Sequence, residues 1–113
     1  MKFIENQPPR KFKVGGGQNI EILDCGKILL ESNEMVTFVT SRKKEFDFTA
    51  KDWGFYATPS INGRLLNQGF KTALVKNQFN KYFIMVVNKE MTDRFFKYLV
   101  EEKSELIEWI DEK

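Results

Sequence analysis

The chain has 113 residues, 42% of them hydrophobic and 30% charged, and its formal net charge is +2. This length and apolar content exclude intrinsic disorder and predict a single domain over residues 1–113. One cysteine and no histidine exclude an internal disulfide and a multi-cysteine zinc site, and they remove the commonest general base. We therefore expect neither a metal nor a cofactor.

Residues 1–88 are predicted to be rich in β-strands. The strand signals are strongest at residues 35–40, 70–75 and 82–87. Ser41-Arg42-Lys43-Lys44 predicts a charged hairpin tip, and Asn62-Gly63 predicts a tight turn because both residues tolerate positive φ. Residues 83–87 are apolar on both faces, which favours a central strand covered on each side.

The apolar period changes after Asn88 and becomes helical from Met91 to Ile110, where Leu106 and Ile110 are four residues apart. This pattern predicts a helical C-terminal segment over residues 89–113. The predicted fold class is therefore α+β. It consists of an antiparallel β-sheet, or a small β-barrel or roll, of about six or seven strands followed by one or two C-terminal helices.

The small net charge conceals a polarised distribution along the chain. Residues 1–52 carry a net charge of +1, residues 53–89 carry +5 without any acidic residue, and residues 90–113 carry −4. Seven aromatic residues lie in the basic block, and cations interleaved with aromatic rings suit an anionic or ring-bearing ligand. The alternative is that the aromatic residues form the core while the acidic tail docks against the basic sheet.

The segment from Trp53 to Arg64 is the strongest candidate for a ligand surface, since it combines three aromatic rings with an amide and a guanidinium. Lysines of the same block would supply positive potential for a phosphate. The candidate ligand-binding residues are Trp53, Phe55, Tyr56, Asn62, Arg64, Lys71, Lys76 and Lys81. No catalytic residue and no metal ligand is assigned.

The runs at residues 51–65 (KDWGFYATPSINGRL), 69–77 (GFKTALVKN) and 108–111 (EWID) carry a resemblance to known proteins. The chain resembles a group of small bacterial proteins of uncharacterised activity that are encoded among surface-polysaccharide (lipopolysaccharide or capsule) biosynthesis genes. The resemblance spans most of the chain. It implies a cytoplasmic accessory role near nucleotide-sugar or glycan-assembly enzymes, and it assigns no binding or catalytic residue.

The leading functional hypothesis is a non-catalytic binding or accessory domain whose partner is a nucleotide-sugar, a glycan or a biosynthetic enzyme. A single-stranded nucleic-acid-binding barrel is the alternative, and an enzyme that uses aspartate, tyrosine or lysine is a third possibility. The exposed edges of a sheet could also pair two copies into a homo-oligomer. No apolar run approaches the roughly 20 residues that cross a bilayer, so we expect a cytoplasmic protein without a membrane span.

Overall fold

A computed structural model describes residues 1–17 and 19–113, and within these ranges the chain forms eight strands in three sheets. The strands are β1 (Lys2–Val14), β2 (Ile20–Leu29), β3 (Met35–Val39), β4 (Glu45–Lys51), β5 (Gly54–Ala57), β6 (Phe70–Lys76), β7 (Tyr82–Asn88) and β8 (Glu105–Trp109). The α-helices are α1 (Arg64–Asn67) and α2 (Thr92–Glu101), with 3₁₀ turns at Lys89–Met91 and Ile110–Glu112. The α+β class is confirmed, and the described residues form open sheets rather than a closed barrel.

The chain divides into two compact units. The first unit consists of Met1–Val36 and Phe48–Tyr56, and the second of Thr37–Asp47 and Ala57–Lys113. A further sheet has the strand order β3-β4-β5.

The first unit contains a long antiparallel hairpin of β1 and β2. Its register pairs Phe3 with Ile28 and Phe12 with Ile22, and the register shifts between Glu5 and Arg10. Two prolines lie in that interval, and a proline cannot donate a hydrogen bond to the ladder, so the irregularity falls where pairing is weakest. Farther along, β2 approaches β1 closely at Gly26, which has φ +147°.

The second unit is built on the antiparallel sheet β7-β6-β8, with β6 in the centre. Helix α2 covers one face of this sheet, where Leu99 packs with Ala73 and Val75 in the buried core. Partly buried side chains surround that core, namely Met85, Phe95, Leu106 and Trp109. The alternation of β6 explains the arrangement, since Ala73 and Val75 are two residues apart and point to the same face.

The prediction that residues 83–87 form a central strand is wrong. They belong to β7, which is an edge strand, and Tyr82, Phe83 and Ile84 are exposed. The central strand is β6, because it pairs with β7 on one side and with β8 on the other. Apolar residues on both faces of a strand do not reveal which strand will receive a partner from later in the chain.

The prediction of helix throughout residues 89–113 is wrong for β8. Helix α2 ends at Glu101, and Lys103 adopts the left-handed conformation at φ +54° that commonly follows a helix. A strand then pairs with β6. The misassignment has a geometric cause. The register shift in the β6–β8 pairing places Leu106 and Trp109 against the same core, and their three-residue spacing is also that of one helix face.

Candidate functional site

Trp53 and Tyr56 form an exposed aromatic pair in the first unit. Trp53 lies in the two-residue loop between β4 and β5, and Gly54 follows it with φ +143°. The Trp53 and Tyr56 ring centroids are 6.1 Å apart with an interplanar angle of 26°, so the rings stack. Trp53 is 71% exposed and Tyr56 is also exposed, which leaves ring surface open to solvent.

Phe55 does not extend this pair. It precedes Tyr56 in β5, and successive side chains of a strand point to opposite faces of the sheet. Phe55 is 69% exposed on its own face. Two of the three predicted aromatic residues are therefore brought together, and the third is an equally exposed neighbour that faces away from them.

Arg64 and Asn62 lie in the second unit at the start of α1. Arg64 Nη2 is 3.0 Å from Asp47 Oδ2, and Asp47 is buried. The Arg64 backbone N–H donates to Ser60 Oγ at 3.1 Å, which helps to position the residue. Asn62 is exposed in the preceding turn. The guanidinium therefore already has a carboxylate partner within the chain.

Lys71 is engaged by the acidic C-terminal segment. Its Nζ lies 2.8 Å from Asp111 Oδ2 and 3.1 Å from Glu112 Oε2, and it sits 4.8 Å from the centroid of the Trp109 ring. The hydrogen bond to Asp111 raises the pKa of Lys71, against the desolvation that opposes its charged form, and Glu112 adds to the rise. Lys71 is thus a structural cation rather than one free for a ligand.

Asp111 is the buried counterpart of Lys71. Burial alone would raise the pKa of this carboxyl group, but the hydrogen bonds from Lys71 Nζ and from the Thr72 backbone N–H outweigh it and lower the pKa. The Thr72 N–H donates to Asp111 Oδ1 at 2.8 Å. Sequence reasoning missed this role, although the charge contrast between the basic block and the acidic tail was the signal for it.

Lys76 and Lys81 complete the predicted set. Lys76 Nζ is 3.3 Å from Glu105 Oε1 on β8, which adds a second contact between the basic block and the acidic tail. Lys81 lies at the end of the β6–β7 loop, where its backbone N–H donates to Asn77 Oδ1 at 3.0 Å. Its side chain is exposed and has no ion pair among the described residues. Of the four predicted cations, only Lys81 is therefore without a carboxylate partner in the described part of the chain.

The described residues contain no group of three or more acidic, cysteine or histidine side chains arranged to hold a metal ion. Within the same ranges, no helix is both long and apolar enough to span a membrane. Comparisons with protein families, curated proteins and solved structures found no match to this chain.

Proposed function

We propose that the chain is a non-catalytic binding or accessory domain that recognises a ring-bearing ligand, a glycan or a nucleotide-sugar, through Trp53 and Tyr56. The observation that carries the proposal is the stacked and exposed geometry of these two rings. Tryptophan is strongly buried on average in folded proteins, so a side chain that is 71% exposed leaves a large apolar face unused in packing.

Ring stacking is the dominant contact in this proposal. Three of the predicted cations, Arg64, Lys71 and Lys76, are paired with carboxylates, so a phosphate would have to displace those partners. Stacking of one ring on an aromatic side chain contributes about 1–3 kcal/mol. From the sequence resemblance to proteins of surface-polysaccharide gene clusters, we further propose a cytoplasmic accessory role close to nucleotide-sugar or glycan-assembly enzymes.

The test is isothermal titration of the chain with a UDP-sugar panel and with neutral oligosaccharides of bacterial surface glycans. Trp53→Ala is expected to weaken binding by about tenfold or more, since one stacking contact is lost. Phe55→Ala is the matched control, because it removes an equally exposed ring from the opposite face of β5. We expect it to change affinity by less than about twofold, a small fraction of one stacking contact.

Two results would contradict the proposal. One is the absence of binding to any ligand of the panel, and the other is an equal loss of affinity in the Trp53 and Phe55 variants. A thymidine oligonucleotide serves as a further ligand in the same titration. Tight binding that weakens steeply with added salt would favour the single-stranded nucleic-acid alternative instead.

A further inference from the structure

A cavity of about 310 Å³ opens in the second unit beside the turn that joins β3 to β4. Its polar wall comes from that turn and consists of Thr40, Ser41, Arg42 and Lys44. Two backbone hydrogen bonds close the turn, from the Thr40 N–H to Lys44 O at 3.0 Å and from the Lys43 N–H to Thr40 O at 2.8 Å. These hydrogen bonds fix the backbone from which the Arg42 and Lys44 side chains extend.

The opposite wall is mainly apolar and comes from β6, β7 and the 3₁₀ turn after β7. Phe70, Val86 and Met91 supply the apolar surface. Phe70 is buried, and its ring centroid lies 6.5 Å from that of Phe46. Asn88 adds one polar group to this wall. Its Oδ1 accepts from the Glu90 N–H at 3.0 Å, so its Nδ2 is the group left to donate to a ligand.

The cations of the polar wall form no ion pair in the described part of the chain. None of the described residues that line the cavity is acidic. Lys44 Nζ donates to a neutral group, the Gln68 carbonyl at 3.2 Å, and Arg42 has no ion pair in the described ranges. This contrasts with Arg64, Lys71 and Lys76, whose charges are matched by carboxylates. The sequence signal was present in the charged hairpin tip, but nothing in the sequence placed an apolar wall opposite it.

We propose that this cavity binds a small, ring-bearing phosphate monoester, either a sugar phosphate or a nucleoside monophosphate. Arg42 and Lys44 bind the phosphate oxygens with charge-assisted hydrogen bonds, and the Ser41 hydroxyl donates a further one. The ring lies against Phe70 and Val86. The volume falls at the lower end of the range of about 300–1,000 Å³ typical of small-molecule sites, which favours a ligand as small as a monophosphate ester.

The experiment titrates the full chain with uridine 5′-monophosphate and glucose 1-phosphate, with uridine, glucose and inorganic phosphate as reference ligands. We expect one or both esters to bind at least tenfold more tightly than any reference ligand, because only the esters use both walls. Binding of one ester alone assigns the ring as a nucleoside or a sugar. Arg42→Gln is expected to weaken ester binding about tenfold or more through loss of a charge-assisted hydrogen bond.

Lys43→Gln is the matched control for Arg42→Gln. It removes the same charge from the same turn, but Lys43 does not line this cavity. Lys43 lines a neighbouring cavity of about 230 Å³, together with Arg42, Lys44 and Glu45. We expect Lys43→Gln to change the affinity for the esters by less than about twofold, because it alters only the long-range electrostatic field of the turn. Val86→Phe occupies the apolar wall without changing the charge, and it is expected to abolish ester binding while thermal unfolding reports that the chain remains folded.

Three results would overturn this inference. They are the absence of ester binding at millimolar concentration, equal weakening by the Arg42 and Lys43 variants, and binding of inorganic phosphate as tight as that of the esters. Equal weakening would indicate diffuse attraction by the basic turn rather than a site. The residues involved are distinct from Trp53 and Tyr56, so Trp53→Ala distinguishes failure of this inference from failure of the proposed function.

Discussion

Asp111→Asn removes one buried charge from the second unit while it nearly preserves the shape of the side chain. The Asp111 carboxylate is 1% exposed and accepts hydrogen bonds from Lys71 Nζ and from the Thr72 N–H, each at 2.8 Å. Asparagine can still accept from Thr72 through its carbonyl oxygen. It cannot form the ion pair with Lys71, so the substitution isolates the electrostatic part of this contact.

The size of the effect follows from the two partners of Lys71. Removing one partner of a buried ion pair costs about 3–5 kcal/mol, and a hydrogen bond to a charged group contributes about 1.5–3 kcal/mol. Lys71 keeps Glu112 at 3.1 Å, and its side chain is 19% exposed, so the remaining ammonium is partly compensated. We therefore expect Asp111→Asn to lower the free energy of unfolding by about 2 kcal/mol at pH 7.

The pH dependence gives a second and independent signature. The pKa of Asp111 is lowered in the fold from its ordinary value of 3.8, so its contribution to stability is present above the unfolded value and is lost as the pH falls through the folded value. The pKa of Lys71 is raised above 10.5, so its contribution is lost only as the pH rises through that raised value. The difference in free energy of unfolding between the wild type and Asp111→Asn should be constant from about pH 5 to 9. It should shrink below about pH 4.

Urea denaturation followed by far-UV circular dichroism at pH 7 and pH 3 measures both effects. Glu112→Gln is the control, because it removes the other carboxylate on the same lysine, one that is 63% exposed. Its expected cost is below about 1 kcal/mol. Two results would refute the assigned role of Asp111. One is that Asp111→Asn lowers the free energy of unfolding at pH 7 by no more than Glu112→Gln does. The other is that Asp111→Asn lowers it by the same amount at pH 3 as at pH 7.

Two further substitutions test the packing of each unit. Leu99→Ala is expected to lower the free energy of unfolding in urea by about 3 kcal/mol, because it leaves a cavity in the core under α2. A loss below about 1 kcal/mol would contradict that packing. Gly26→Ala would place a Cβ 2.2 Å from Ile4 O at φ +147°, whereas Gly54→Ala meets no atom within 4 Å at φ +143°. Amide exchange in the β1–β2 hairpin should therefore accelerate markedly in the Gly26 variant only, and equal protection in both variants would argue against the close approach of β2 to β1.

Local patterns located both strands of the β6–β7 hairpin. The strand signals at residues 70–75 and 82–87 lie within strands that pair in antiparallel register, from Phe70 with Asn88 to Lys76 with Tyr82. The loop forms because the Asn77 side chain accepts from the Phe79 and Lys81 backbone N–H groups. Such short-range interactions are specified by neighbouring residues, which is why sequence reasoning reached them.

Long-range partners were beyond the same reasoning. A turn is present at Asn62-Gly63, with the Gly63 N–H donating to Ser60 O at 3.3 Å, but it leads into α1. The predicted basis is wrong, because Gly63 has φ −129° and Asn62 does not adopt positive φ. The charge blocks left open whether Lys71 faces a ligand or the acidic tail, and only the position of Asp111 decides this. Trp53 is exposed because distant segments of the chain leave it uncovered, and composition does not indicate where those segments will pack.

The placement of β8 has a consequence for how the chain folds. The hydrogen bond between the Thr72 N–H and Asp111 joins residues 39 positions apart, and β6 obtains its second neighbour from that distant segment. Until β8 docks, the β6–β7 hairpin has an unpaired inner edge that can pair with another chain. Docking of β8 therefore ends a period of aggregation risk during folding.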